Sequence, residues 1–261
     1  MEKCKWKLYP LVVGEAVVGQ VLDVFWSLTR DKSQVDVPIM AWLLMPLDQG
    51  EPILVDTGFR DAERCQHVHG LGPHRTKPEW SLEQQLANHG LTPKDIKTVI
   101  LTHLHYDHAG GCTQFSNAKF IIQRSELKAA AAPVVSPHLD FGGGALFYDR
   151  KDIAEIVDPL WSQVELLEGD EEIAPGVQCV LFSNTHTPGS QAVYVNTEVG
   201  TAVILGDIAR KVDLNINQGI PPGLFYDLEA TYRAMNKIKK EANVILPSHD
   251  YELVKKYENG L

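Results

Sequence analysis

Five short apolar runs, each ending near a histidine or an aspartate, constrain the fold of this chain more than any other feature. The runs at 53–55, 99–102, 180–182, 203–206 and 244–248 lead to Asp56, His103, His186, Asp207 and His249. Short runs rich in β-branched residues are typical of strands that are buried on both faces. Loops held by the ends of such strands can bring distant side chains to one site. The sequence therefore predicts an α/β or layered α+β architecture with a functional site at the strand ends.

The densest part of this pattern is HLHYDHAGG at 103–111, which contains His103, His105, Asp107 and His108. A solvated polar loop is the simplest alternative, but an H-x-H-x-D-H string arises from composition alone with odds on the order of one in a thousand. Imidazole and carboxylate groups are the ligands that zinc prefers when thiolates are absent. In an extended segment, His103 and His105 point to the same side. We therefore predict a metal site here.

Three residues at other strand ends complete a set of five imidazoles and two carboxylates: His186, Asp207 and His249. Such a set suits two metals that share one carboxylate, and a catalytic site keeps one position open for water. The sequence predicts two Zn²⁺ ions per chain, with other divalent metals as alternatives. The predicted reaction is hydrolysis by a hydroxide held between the two metals.

Composition and charge exclude several classes of function. The 261 residues carry a formal net charge of −10 and no run rich in Lys or Arg, so we expect no nucleic-acid partner. No stretch approaches the roughly 18–20 apolar residues that cross a bilayer, so we expect no membrane partner. The four cysteines are scattered and the start of the chain lacks a secretion signal, which predicts a cytoplasmic protein. Because no linker is evident, we predict a single domain over residues 1–261.

Turn and cap signals place the main elements around these runs. Apolar segments on either side of residues 48–51 predict a hairpin. Residues 60–80 are polar and contain Gly and Pro, which predicts a long loop or a short insertion. One helix is predicted to begin after Ser81, and another over 227–241 with Asp227 as its N-cap.

Five motifs resemble, in order and approximate spacing, those of the metallo-β-lactamase superfamily. They are LVDTG at 54–58, THLHYDHAGG at 102–111, NTHTPGS at 184–190, ILGD at 204–207 and PSHD at 247–250. The likeness covers nearly the whole chain. It implies a four-layer αβ/βα sandwich with the site at one edge of two packed sheets.

The resemblance also implies which residues hold each metal. One zinc would be held by His103, His105 and His186, and the other by Asp107, His108 and His249, with Asp207 bridging the two. Asp56 would orient a ligand from behind it. Asp107 is also the predicted catalytic residue, which would carry a proton to the leaving group.

Within the superfamily, the chain most resembles the N-acyl-homoserine lactonase group. That resemblance implies a small-molecule substrate, opening of a lactone ring, and a possible homodimer. The lactonases carry a tyrosine shortly after the bridging aspartate that contacts the lactone, whereas this chain reads Asp207-Ile-Ala-Arg210. Tyr106 and Tyr226 are the candidates to replace that tyrosine.

Other functions are compatible with the same residues. The site could hydrolyse a cyclic amide or imide, or an acyclic ester or thioester, because the pocket decides the substrate. A metal-binding protein without catalysis fits less well, since structural zinc sites are closed, usually mononuclear and often rich in cysteine. An iron-dependent dioxygenase of the same fold would hold one iron, so metal analysis separates it from a dizinc hydrolase.

Some residues admit both a structural and a functional interpretation. Arg210 either binds a substrate carbonyl or carboxylate or forms a surface ion pair. Cys112 is expected to be a small buried residue. Three histidines are expected to be incidental on a surface loop, with the entrance to the site as the alternative: His67, His69 and His74. Four aromatic residues are expected in the core, with an apolar pocket as the alternative: Phe25, Trp26, Trp42 and Phe225.

Overall fold

The computed structural model describes residues 5–19, 34–69, 72–133 and 147–261, and this part of the chain contains two β-sheets. The strands of the first sheet are β1 (Trp6–Gly19), β2 (Gln34–Pro46), β3 (Ile53–Val55), β4 (His74–Arg75), β5 (Thr98–Ile100), β6 (Lys119–Gln123) and β7 (Val164–Leu167). Those of the second are β8 (Glu171–Ala174), β9 (Val177–Leu181), β10 (Gln191–Thr197), β11 (Gly200–Ile204) and β12 (Val244–Leu246).

Parallel pairing brings the functional strand ends together. The first sheet has the order β4-β1-β2-β3-β5-β6-β7, and the second has the order β12-β11-β10-β9-β8. β2 and β3 form the predicted antiparallel hairpin, while β3 is parallel to β5 and β11 is parallel to β12. Because the carboxyl ends of parallel neighbours lie at one edge, Asp56 lies beside the start of the 102–111 motif. Asp207 and His249 are neighbours for the same reason.

The helices are α1 (Ala62–His69), α2 (Leu82–Ala87), α3 (Tyr106–Ala109), α4 (Arg124–Ala131), α5 (Arg150–Val157), α6 (Leu228–Glu241) and α7 (Tyr251–Lys256). The helix predicted after Ser81 is α2, and the Ser81 side chain accepts a hydrogen bond from the N–H of Gln84 at 3.2 Å. The helix predicted after Asp227 is α6, and both predictions are confirmed.

Three apolar clusters separate the layers of the fold. The first lies between the two sheets and contains Trp42 and Ile204, so Trp42 is a core residue. The second lies between the first sheet and helices α2, α4 and α5, where Leu86 and Leu127 pack. The third lies between the second sheet and α6, where Met235 packs. The predicted four-layer αβ/βα sandwich is therefore confirmed.

The prediction of a long loop at residues 60–80 is wrong in part. This segment contains α1 and the two-residue strand β4, which pairs with Glu15 and Ala16 of β1. The segment looked like a loop because α1 is rich in polar residues, of which Glu63, Gln66 and His67 are exposed. β4 is only two residues long, and it pairs with β1 through backbone groups and an ion pair of Arg75 with Glu15 at 2.6 Å, contacts between distant positions that composition does not reveal.

Several other expectations are decided or left open by the described residues. Cys65, Cys112 and Cys179 are buried free thiols, as expected for Cys112. Among the described helices, none combines the length and the apolar character required to span a bilayer. Phe25 and Trp26 lie outside the described residues. The single domain and the cytoplasmic location stay predictions.

Replacing Asp227 with alanine should lower the free energy of unfolding by about 1 kcal/mol, since N-cap side chains typically contribute this much. The Asp227 carboxylate accepts a hydrogen bond from the N–H of Ala230 at 2.6 Å, at the start of α6. Urea unfolding followed by circular dichroism measures the change. Glu258→Ala, at an exposed position near the end of the chain, is the control. Equal stability of the two variants would contradict this account of α6.

Candidate metal centre

All seven predicted metal ligands lie together at one edge of the sandwich. His103 and His105 follow β5, and Asp107 and His108 belong to α3. His186 lies in the loop between β9 and β10, while Asp207 and His249 follow β11 and β12. The ring centres of His103 and His186 are 4.8 Å apart, and those of His108 and His249 are 5.4 Å apart.

The side chains form two groups that could each hold a metal ion. In the first group, one nitrogen from each of His103, His105 and His186 lies within 4.8 Å of the others. His105 Nδ1 and His186 Nε2 are 3.0 Å apart. In the second group, ligand atoms of Asp107, His108 and His249 are equally close to one another. These are the two sets that the family resemblance implies.

Asp207 lies between the two groups. Its Oδ1 is 3.0 Å from His249 Nε2 and 3.3 Å from His108 Nε2, which belong to the second group. Its Oδ2 is 3.8 Å from His186 Nε2, which belongs to the first. One carboxylate oxygen therefore faces each group, the arrangement expected of a residue that bridges two metals.

Oxygen acceptors behind the imidazoles set the direction of their lone pairs. The contacts join His108 Nδ1 to Asp56 Oδ2 at 2.8 Å, His249 Nδ1 to the Pro38 carbonyl at 2.8 Å, and His186 Nδ1 to the Leu224 carbonyl at 3.2 Å. A carboxylate or a carbonyl can only accept, so each Nδ1 carries the proton. Each Nε2 then presents its lone pair to the cluster.

Asp56 forms hydrogen bonds that hold histidines of both groups: His108 directly, and His103 through Thr102. Its Oδ2 accepts from His108, and its Oδ1 accepts from the N–H of Thr102 at 2.8 Å. The Thr102 hydroxyl donates to Asp56 Oδ2 at 2.8 Å and lies 3.1 Å from His103 Nδ1. Asp56 has a φ of +61°, which costs a residue with a Cβ roughly 1–2 kcal/mol. Asp56 thus lies where the predicted orienting role requires it.

Buried polar atoms of the cluster fit bound cations. Nε2 of His103, His108 and His249 and Oδ1 of Asp207 are buried and form no hydrogen bond with the described residues. Buried polar atoms without partners are costly unless they coordinate a metal. These atoms are nitrogen and oxygen donors of the kinds that zinc accepts. The donor set therefore fits a pair of divalent cations.

The charges of the first group and of Asp207 agree with this fit. Burial lowers the pKa of His103, His105 and His186, which keeps these imidazoles neutral and able to donate a lone pair. Burial opposes ionisation of Asp207, but His249 and His108 hold the pKa of its carboxyl well below the usual range. His108 differs: burial opposes its charge, but the carboxylates of Asp56, Asp107 and Asp207 raise its pKa well above the usual value, so a metal bound to this ring would replace a proton.

Arg210 is not on the surface, so that alternative is wrong. It is 6% exposed, and its Nη1 donates to Asp207 Oδ2 at 3.0 Å. The chain turns directly after Asp207, so that Arg210, three positions later, is buried beside it. Arg210 also lines a small cavity of about 30 Å³ beside the cluster, together with Tyr106 and Asp107.

A larger, mostly apolar cavity of about 410 Å³ opens beside the first group. Its walls are formed by His105, His186, Phe147, Tyr148, Leu224, Phe225, Tyr226 and part of α4. Of the two tyrosine candidates, Tyr226 is half exposed and lines this cavity, and Tyr106 is buried and lines the small one. Phe225 is therefore a pocket residue, unlike Trp42. A wider groove of about 1140 Å³ borders His249 from the far side and has both charged and apolar walls.

The expectation for the three histidines of residues 60–80 is wrong for two of them. His67 is exposed, but His69 and His74 are buried. The His69 ring stacks on Tyr106 with 4.1 Å between ring centres, and His74 Nε2 lies 2.8 Å from the Tyr106 hydroxyl. They are buried because α1 and β4 pack this segment against α3, which a polar composition does not show.

Two residues that hold the ligands in place were not predicted from the sequence. Thr102 connects Asp56 to His103, and Glu126 is a buried carboxylate that contacts the loops of His105 and His186. Thr102 opens the motif at 102–111, so its position directly before His103 could have indicated a role beside the ligands. Glu126 gave no such signal, because an acidic residue in the first turn of a helix is common on electrostatic grounds alone.

The fold and the cluster define a class of protein: a layered sandwich with a histidine–aspartate metal site at one edge. The sequence model of the Metallo-beta-lactamase superfamily matches residues 36–249, and the chain belongs to this superfamily.

Within the superfamily, the chain is similar to several N-acyl homoserine lactonases. The chain is 30% identical to an N-acyl homoserine lactonase of Bacillus thuringiensis, and the match covers 94% of each protein. It is 28% identical to the N-acyl homoserine lactonase AiiB of Agrobacterium fabrum, again over 94% of each. A solved N-acyl homoserine lactone hydrolase, with N-hexanoyl-L-homoserine bound at its catalytic metal centre, superposes with a TM-score of 0.77 at 27% identity. That match covers 97% of this chain and 96% of the other. The predicted resemblance to lactonase-type hydrolases is confirmed.

Replacing Asp56 with asparagine should weaken metal binding about 10–100-fold, the usual cost of losing a residue that orients a ligand. The asparagine amide would present a donor either to the His108 ring N–H or to Thr102. Titration of zinc against a chromophoric chelator measures the affinity. Asp61→Asn, at an exposed position before α1, is the matched control. If both variants bind zinc equally well, the proposed role of Asp56 is wrong.

Proposed function

We propose that this chain is a dinuclear zinc hydrolase that opens the ring of N-acyl-homoserine lactones. The observation that carries the proposal is the position of Asp207 between two groups of three ligands, next to an apolar cavity. The names of the relatives supply the substrate class.

The two groups divide the ligands of the proposed metals. The first zinc would take His103, His105 and His186, and the second Asp107, His108 and His249, with Asp207 shared. When bound, two such cations lower the pKa of a water and polarise a carbonyl, which supplies hydrolytic chemistry near neutral pH. Asp56, Pro38 and Leu224 hold the imidazole rings so that little reorganisation is required.

Asp107 is the proposed proton carrier. Its side chain is 16% exposed, whereas the side chains of the partner ligands His108 and His249 are at most 3% exposed. It also lines the small cavity above the cluster together with Arg210. A carboxylate that faces this cavity can receive a proton and deliver it to the alkoxide that leaves when the lactone ring opens.

The larger cavity is the proposed site of the acyl chain. It begins at His105 and His186, so a chain attached to a reacting lactone can extend directly into it. Its aromatic and aliphatic walls provide the apolar surface that an acyl chain requires. The wider groove behind His249 has both charged and apolar walls but borders only this one of the seven ligands, so we assign the acyl chain to the cavity of about 410 Å³.

A second candidate substrate is a cyclic amide or imide. The buried Arg210 lines the cavity in which the reacting carbonyl would lie, and a guanidinium can bind a second carbonyl oxygen. Comparison of lactones with cyclic imides, under the same conditions and with acid release as the signal, separates the two.

The zinc-loaded protein should contain about two metals per chain and hydrolyse N-hexanoyl-homoserine lactone with release of acid. His105→Ala and Asp207→Ala should each lower kcat/KM by about a thousandfold or more and reduce the bound metal. Acid release in a pH-stat and elemental analysis are the measurements. His67→Ala changes an exposed histidine and serves as the control. A metal-depleted Asp207→Ala protein with full activity would refute the mechanism, and one iron per chain would favour oxygen chemistry.

Replacing Ala129 with phenylalanine should raise KM for long acyl chains about tenfold and leave short chains nearly unaffected. Ala129 lies on α4 and lines the cavity, so a larger side chain would occupy part of it. Steady-state kinetics with butanoyl and decanoyl substrates measure the effect. Ala154→Phe on the exposed side of α5 is the matched control. An unchanged KM for the decanoyl substrate would show that the acyl chain binds elsewhere.

A further inference from the structure

Glu126 lies where the loops that carry two histidines of the first group meet. It belongs to the first turn of α4 and is only 1% exposed. Carboxylates are rarely buried to this extent unless a partner compensates for the lost hydration. All of its hydrogen-bond partners among the described residues are neutral donors. The Glu126 carboxylate therefore accepts hydrogen bonds from neutral groups and forms no ion pair with the described residues.

Each oxygen of Glu126 accepts two hydrogen bonds. Oε1 accepts from the N–H of Leu104 at 2.9 Å and from the hydroxyl of Tyr148 at 3.0 Å. Oε2 accepts from the hydroxyl of Thr187 at 2.6 Å and from the N–H of Gly189 at 3.0 Å. Four donors saturate the carboxylate, and bonds to an ionised acceptor are stronger than bonds between neutral groups.

Two of these donors belong to the backbone of ligand loops from different sheets. Leu104 lies between His103 and His105, after β5 of the first sheet. Thr187 and Gly189 directly follow His186, before β10 of the second sheet. A Cβ at Gly189 would lie 2.2 Å from the backbone nitrogen of Glu126, so this loop packs closely against α4. Glu126 thus joins the two loops across the edge of the sandwich.

The remaining donor connects the same carboxylate to the proposed acyl cavity. Tyr148 lines that cavity, and the centre of its ring is 4.9 Å from the ring of His105. The hydroxyl group of Tyr148 is fixed by Glu126, so the wall of the cavity and the ligand loops share one anchor.

We infer that Glu126 is a positioning residue for the metal centre, whose carboxylate sets the separation of His105 and His186 by tying their two loops together. The inference rests on the proposed function for the assignment of both histidines to one metal. It adds a residue that touches neither the metal nor the substrate. Glu126 would act by positioning His105 and His186, and would not change the chemical nature of these ligands.

Glu126→Gln tests this inference because it keeps the shape of the side chain and removes acceptors. The NH₂ of glutamine can only donate, so in either orientation it would face a backbone N–H that also only donates, that of Leu104 or that of Gly189. The metal-free protein is loaded with Co²⁺ alone, whose visible absorption reports ligand geometry. We expect a changed Co²⁺ spectrum and an affinity for the metal that is about 10–100-fold weaker.

Asp152→Asn is the control for a general loss of stability. Asp152 is also a buried carboxylate, but its partner is Arg60, at 2.8 Å, and neither residue belongs to a ligand loop. Its variant should lose thermal stability and keep the wild-type Co²⁺ spectrum. If Glu126→Gln does not fold, Thr187→Val removes one donor and should change the spectrum in the same direction by a smaller amount.

Wild-type Co²⁺ spectra and affinities in folded Glu126→Gln or in Thr187→Val would overturn the inference. A spectrum changed equally by Asp152→Asn would also overturn it, because the effect would then be general destabilisation. If the wild-type protein opens no lactone but Glu126→Gln still changes the Co²⁺ spectrum, the proposed function fails and the positioning role is upheld.

Discussion

The Asp207 carboxylate, placed among five imidazoles, is the interaction on which the site depends. Burial of a carboxylate costs free energy, and nearby imidazoles together with the Arg210 guanidinium offset this cost. Each of its oxygens faces a different group of ligands. In the proposed centre this side chain joins the two groups because it lies between them. Removing the residue would leave two separate half-sites.

The sandwich fold supplies the position of this carboxylate. Parallel pairing of β11 with β12 places Asp207 beside His249, and parallel pairing of β3 with β5 places Asp56 below His103 and His108. Acceptors behind His108, His249 and His186 fix these rings, so their lone pairs are directed before any metal binds. Glu126 extends this arrangement by joining a loop of one sheet to a loop of the other. Hydrogen bonds therefore hold the ligand residues in place, while the cavity beside His105 and His186 stays open.

The strand ends and the ligands could be predicted from the sequence because both leave strong local signals. A continuous apolar run marks a buried strand, and the dense histidine motif is improbable by chance. The packing of residues 60–80 left no such signal, since β4 is only two residues long and its partners in β1 are distant in the sequence. The same holds for Arg210 and Glu126, whose burial depends on loops that meet only in three dimensions. A charged residue in a sequence looks exposed until its partners are known.

Anomalous diffraction at the zinc absorption edge, from crystals of the zinc-loaded protein, would show whether two metals lie on either side of Asp207. The account predicts two peaks about 3.5–4 Å apart, the usual separation in two-metal sites. One peak should lie among His103, His105 and His186, the other among Asp107, His108 and His249, with one Asp207 oxygen near each. A single peak, or two peaks with Asp207 turned away from one of them, would contradict the account.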